Sequence, residues 1–137
     1  MARLYIAVYS WSSAVAGRCA IATLKLKIQL YCGSEIAMGP GKAALLRAIG
    51  ETGSISAAGR ALGMSYRRAW LLVDTMNRCF AEPLVETAAG AGARVTAAGE
   101  AALADYLALA EQVEGAAGGA AFARLQEAIR GSPRTDT

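Results

Sequence analysis

Between Gly53 and Phe80 the chain reads GSISAAGRALGMSYRRAWLLVDTMNRCF, and few folds accept that stretch. Ser54 is a good helix N-cap. Ile55, Ala58 and Leu62 follow at helical spacing as a short apolar stripe. Gly63 interrupts the stripe where a left-handed residue ends a helix and turns the chain sharply. Ser65 caps a second helix. Ala57, Ala58 and Ala61 are small enough to let two helices cross closely. A short helix, a tight turn and a second helix make a helix-turn-helix.

The second helix has two unlike faces. At 100° per residue, Ala69, Leu72, Val73, Met76 and Phe80 fall in one narrow stripe, which is core. Arg67 lies opposite it and Arg68 on its flank, both in the first turn. In a helix-turn-helix that turn meets base edges in the major groove. An arginine there can pair with guanine through its planar fork or hold a phosphate; a merely solvated face is the plainer reading. Tyr66 and Trp70, four residues apart, border the core stripe. Their apolar area favours packing, with a Tyr66 hydroxyl on a phosphate as the alternative. Asp74 and Arg78 are spaced to pair.

Charge supports a nucleic-acid partner, though modestly. Residues 23–99 carry a net +4 and residues 100–137 a net −3, a basic body with an acidic end. The sequence contains no histidine, which removes the commonest general base and the commonest zinc ligand. Without paired acids in a pocket or a phosphate loop either, no catalytic residue, cofactor or metal site is expected. Cys19, Cys32 and Cys79 are far apart and lack CxxC spacing, which points to a reducing, cytoplasmic compartment and no metal. No apolar run reaches the roughly 20 residues that span a bilayer.

The flanks complete the pattern. Residues 1–22 carry an early arginine and an apolar patch broken by Ser10, Ser12 and Ser13. They are expected to be a loosely ordered extension rather than an export signal. Residues 24–31, LKLKIQLY, alternate strictly and predict a half-buried strand. Cys32-Gly33-Ser34 makes a turn, and Glu35 to Met38 a second strand in a hairpin. Gly39-Pro40 opens a helix whose core face is Leu45, Leu46 and Ile49, ended by Gly50 and Gly53. Pro83 forbids continued helix after Phe80. Residues 84–87 and 93–96 then predict a second hairpin, a wing with an uncharged AAGAG tip. Arg94 is its one basic residue, a candidate for a backbone or minor-groove contact or a plain surface arginine. Thr96 caps a helix from Ala97 to about Glu114 on which Leu103, Tyr106, Leu107 and Ala110 share a face. That face can dock on its own domain or on a second copy; two-fold symmetry in DNA readers favours the second copy. Residues 115–119, GAAGG, break the helix. Phe122, Leu125 and Ile129 suggest a last short one, and residues 132–137 a frayed tail.

Taken together, the stretch AIGETGSISAAGRALGMSYRRAWLLVDTMN, then EPLVET, a Gly/Ala tip and RVTAAGEAALADY, resembles the N-terminal DNA-binding domain of ModE, the molybdate-responsive transcriptional regulator, within the LysR-like winged-helix group. The resemblance runs from about Leu24 to about Leu109. It implies a winged helix-turn-helix working as a homodimer on palindromic double-stranded DNA, with contacts from Ser54, Ser56, Ser65, Tyr66, Arg67, Arg68 and the wing. Two departures matter. The wing is short and alanine-rich, where the family's is commonly Gly-rich with basic residues. The molybdate-binding domains of full-length ModE do not follow, so a stand-alone form without its own molybdate sensor is expected.

The sequence thus predicts a mostly α fold with a little β: residues 1–22 an extension, 23–96 a winged helix-turn-helix with an N-terminal hairpin, 97–131 a helical element for dimerisation, and 132–137 a tail. Its expected role is sequence-specific transcriptional regulation, with molybdenum-related genes as candidate targets. The alternative is a winged helix that binds protein. Leu71 supports that alternative, because it is an apolar residue on the polar side of the recognition helix; it could equally meet a thymine methyl.

Overall fold

A computed structural model describes residues 23–135; the extension expected over residues 1–22 and the last two residues of the tail lie outside the described residues. The elements run β1 (Leu30–Cys32), β2 (Glu35–Met38), α1 (Pro40–Thr52), α2 (Ile55–Ala61), α3 (Tyr66–Cys79), β3 (Val85–Ala88), β4 (Gly92–Val95), α4 (Ala97–Ala116) and α5 (Ala120–Ala128). The strands form two separate antiparallel hairpins, β1–β2 and β3–β4. This is the predicted fold class, mostly helical with two small sheets in a winged helix-turn-helix arrangement.

The first strand is much shorter than the alternation suggested. Leu24, Leu26 and Ile28 are half-buried while Lys25 and Lys27 are exposed, so the period-2 pattern does sort the side chains. No ladder forms over residues 23–29, because β2 offers only four residues of partner and the register slips between Leu30 and Tyr31. The Ile28 carbonyl instead accepts a hydrogen bond from the Tyr106 hydroxyl at 2.9 Å.

Helix α1 carries the centre of the core. Pro40 sits in its first turn, where a missing N–H costs nothing. Leu45, Leu46 and Ile49 are fully buried, joined by Met38, Met76 and Leu84 from β2, α3 and the approach to β3. Each such burial is worth roughly 1.5–3 kcal/mol. Gly50 does not end the helix as expected; the helix continues to Thr52 and stops at Gly53, whose N–H returns to the Ile49 carbonyl at 2.8 Å.

The helix-turn-helix forms as read, with one change in what permits it. Of the three alanines expected at the crossing, only Ala58 is buried; Ala57 is half-buried and Ala61 exposed. The close approach belongs to Gly59, where a Cβ would stand 3.0 Å from the Ala69 Cβ. Gly63 takes φ 70°, the left-handed turn the sequence required.

The apolar face of α4 docks on its own domain, one of the two alternatives open to it. Leu103, Tyr106 and Leu107 do not wait for a second copy; Tyr106 is only 4% exposed and belongs to the domain's own core. On that face the Tyr106 hydroxyl also satisfies the Ile28 backbone carbonyl of the irregular 23–29 segment. The helix also runs through Gly115 to Ala116 before breaking. No described helix is long and apolar enough to cross a membrane.

Candidate nucleic-acid interface

Three pieces of backbone converge on one face. They are the start of α2, the start of α3 and the inner side of the wing. Ser54 and Ser65 are the N-caps of the two helices. Their hydroxyl oxygens accept N–H bonds from Ala57 and Arg68, each at 3.1 Å. Capping uses an oxygen lone pair and leaves each O–H free to turn outward to a phosphate. Ser56 is half-buried beside them, and Tyr66 is 61% exposed.

Arg67 and Arg68 follow in the first turn of α3, both exposed. Neither has an acidic partner among the described residues. An exposed guanidinium without an acidic partner is free to present its planar fork to an anion or an acceptor edge. Nearby, Lys42 of α1 is half-buried. Its ammonium is pushed below its usual range by that burial, and Arg68 acts in the same direction.

Tyr66 and Trp70 do not pack into the core, contrary to the favoured expectation. Their rings meet each other edge to face, 6.1 Å between centroids. Trp70 keeps 38% exposure. The core stripe one turn inside them is already filled by Ala69, Val73 and Met76, all buried, so the aromatics are displaced to the rim. They form one wall of an open cleft of about 390 Å³, with Ser54 and Ser56 on the floor and Thr87 and Gly90 of the wing opposite. Leu71, 55% exposed, stands outside on α3 as the sequence placed it.

The wing is anchored at two points that the sequence did not reveal. Asn77, on α3, grips the chain entering β3. Its Oδ1 accepts from the N–H groups of Leu84 and Val85 at 2.8 and 3.2 Å, and its Nδ2 donates to the Val85 carbonyl at 3.0 Å. On the return strand the Ala93 N–H donates to the Gly53 carbonyl at 2.9 Å. Gly92 permits that contact, for it holds φ 75° and a Cβ there would collide with the Gly53 oxygen. The recognition helix and the wing therefore hang from one frame. An asparagine eight residues before a strand is an ordinary surface residue to the eye, so no sequence signal singled it out.

Arg94 differs from the α3 arginines. It is 80% exposed, but Nη2 donates to the Glu86 carboxylate across the wing at 2.8 Å. Such an exposed pair is worth only about 0–1 kcal/mol and can open. The expected Asp74–Arg78 pair forms at 2.9 Å, and Arg78 also grips Glu35 of β2 with both terminal nitrogens, at 2.9 and 3.1 Å. These hydrogen bonds, Arg78 first among them, hold the Glu35 carboxyl below its usual range.

Residues 42–100, which contain every one of these contact candidates, match the family of bacterial regulatory helix-turn-helix proteins of the lysR type. Over 73 residues, half of this chain, the sequence is 52% identical to the molybdenum-pterin-binding protein MopB of Rhodobacter capsulatus, covering 27% of that protein. It is 44% identical over 73 residues to MopA of the same organism, covering 28% of it. Against the transcriptional regulator ModE of Yersinia pestis it is 40% identical over 82 residues, 57% of this chain and 29% of that one. The chain thus spans under a third of the length of these curated relatives.

Proposed function

On the premise that residues 42–100 are a lysR-type helix-turn-helix domain homologous to regions of ModE and the Mop proteins, we propose that this chain is a sequence-specific DNA-binding regulator of molybdenum-related genes. The observation that carries this reading is the pair Arg67 and Arg68, unpaired at the first exposed turn of α3. The α3 N-terminus enters the major groove, where these arginines read base edges or hold the backbone. Ser54, Ser56, Ser65 and Tyr66 donate hydroxyls to phosphates at the groove's edge. Arg94 adds a contact when it releases Glu86. Leu71 meets a thymine methyl, so its exposure needs no protein partner. No step is catalytic.

Two copies act together in this reading. The inward face of α4 is used within the domain, but Leu109 and Val113 on α4, Leu125 on α5 and Ile129 just after it remain exposed. Pairing through them sets two recognition helices about 34 Å apart on one side of the duplex. A stable monomer by sedimentation at micromolar concentration would remove the dimer from this account. The protein works in the cytoplasm, and residues 23–135 do not themselves respond to molybdate.

Selection from random duplexes tests the whole reading, done at two salt concentrations with and without molybdate. The expected product is a palindromic site whose binding weakens steeply with salt. Failure to enrich any sequence at either salt would refute base reading by α3.

A further inference from the structure

Cys32 and Cys79 are remote in sequence, and the fold brings them to one place. Cys32 ends β1 and lies across the hairpin from Glu35. The Glu35 carboxylate is gripped by Arg78, and Cys79 is the next residue, the last of α3. The ion pair thus clamps the end of the hairpin against the end of the helix. Both side chains are free thiols, Cys32 exposed and Cys79 half-buried. Burial pushes the Cys79 thiol up, and the neighbouring Cys32 thiol acts on it in the same direction. Lys42 of α1 is also within electrostatic reach of Cys79.

We infer that Cys32 and Cys79 are a modification site: they form a reversible disulfide when a hydroperoxide oxidises them, stapling the N-terminal hairpin to the C-terminal end of the recognition helix. The exposed Cys32 reacts first. Its thiolate attacks the peroxide oxygen, the O–O bond breaks, and the departing oxygen takes a proton and leaves as water or alcohol. Cys32 becomes a sulfenic acid. The Cys79 sulfur then attacks the Cys32 sulfur, and the sulfenic oxygen leaves as water with the Cys79 proton. Two thiols lose two electrons and the peroxide gains them. In a reducing compartment such a bond is transient.

The Glu35–Arg78 clamp already holds the end of the hairpin against the end of α3. Cys79 is about 18 Å along the helix from Arg67 at 1.5 Å per residue. The staple therefore stabilises the domain and leaves the arginine turn free. This inference stands whether or not the chain reads DNA.

The test treats the full chain, and in parallel its Cys19→Ser variant, with hydrogen peroxide, followed by non-reducing peptide mapping. The expected result is a Cys32–Cys79 crosslinked peptide in both, with the loss of two hydrogens, reversed by dithiothreitol. Melting temperature should rise by several degrees on oxidation, since the bond closes a long loop. A Cys32→Ser variant should show neither change. Disulfides to Cys19, crosslinks between chains, or sulfinic acid without a Cys32–Cys79 crosslink would each overturn the assignment.

Discussion

Replacing Asn77 with alanine tests whether the recognition helix and wing share one frame. The side chain satisfies three backbone groups: the N–H of Leu84, the N–H of Val85 and the carbonyl of Val85. Leu84 is 1% exposed, so its N–H finds no easy substitute. A buried group left unpaired costs about 1–3 kcal/mol. Val85 is 3% exposed as well, and three such groups at the lower end of that range total about 3 kcal/mol. For a chain of this size that is a fall in melting temperature on the order of 10 °C. Asn77→Asp separates the contributions. It keeps both accepted bonds, loses the donor, and turns a carboxylate toward the Val85 carbonyl, so it should melt between wild type and the alanine variant. Circular dichroism melts at pH 7 supply the comparison. DNA affinity of Asn77→Ala, measured well below its melting point, should also fall, because the wing is no longer fixed relative to Arg67. An alanine variant melting within about 3 °C of wild type would show that water replaces these bonds and that the anchor lies elsewhere.

Other expectations follow from the same geometry. Arg67→Ala should cost about 1–3 kcal/mol of specific DNA binding and relax preference at one base pair; equal weakening on all sequences would make it a phosphate contact instead. Gly92→Ala forces a side chain into a left-handed backbone, about 1–3 kcal/mol by itself, and against the Gly53 oxygen. It should lower the melting temperature and loosen the wing, seen as faster proteolysis of the AAGAG tip; an unchanged melt would mean the wing rides free of Gly53. Glu35 offers a pH test. Its carboxyl is lowered in the folded protein by the Arg78 hydrogen bonds. Its contribution is therefore present above the ordinary value of 4.5 and lost as pH falls through the lower folded value. Wild type and Glu35→Gln should differ slightly in melting temperature at pH 7 and converge in acid. A difference constant across pH would assign the effect to something other than charge.

Much of this protein is set by local rules that sequence expresses directly. Ser54 and Ser65 cap helices because a hydroxyl beside a helix start meets an orphan N–H wherever it occurs. Gly63 turns left-handed because only glycine does so without strain. The arginine face and the buried face of α3 separate because 100° per residue separates them, whatever lies around the helix. Tertiary structure decided what depends on competition for space and partners. The core stripe was already full, so Tyr66 and Trp70 went to the rim and became the wall of a cleft. β2 was too short to pair with the whole alternating segment, so residues 23–29 lost their ladder and gave a carbonyl to Tyr106. That contact lies on the α4 face, which docks on its own domain rather than on a second copy. Asn77, Gly59 and the neighbouring Cys32 and Cys79 acquired their roles only through residues distant in the chain. Periodicity and capping act within a few residues, whereas contacts between remote segments are fixed only when the whole chain is packed.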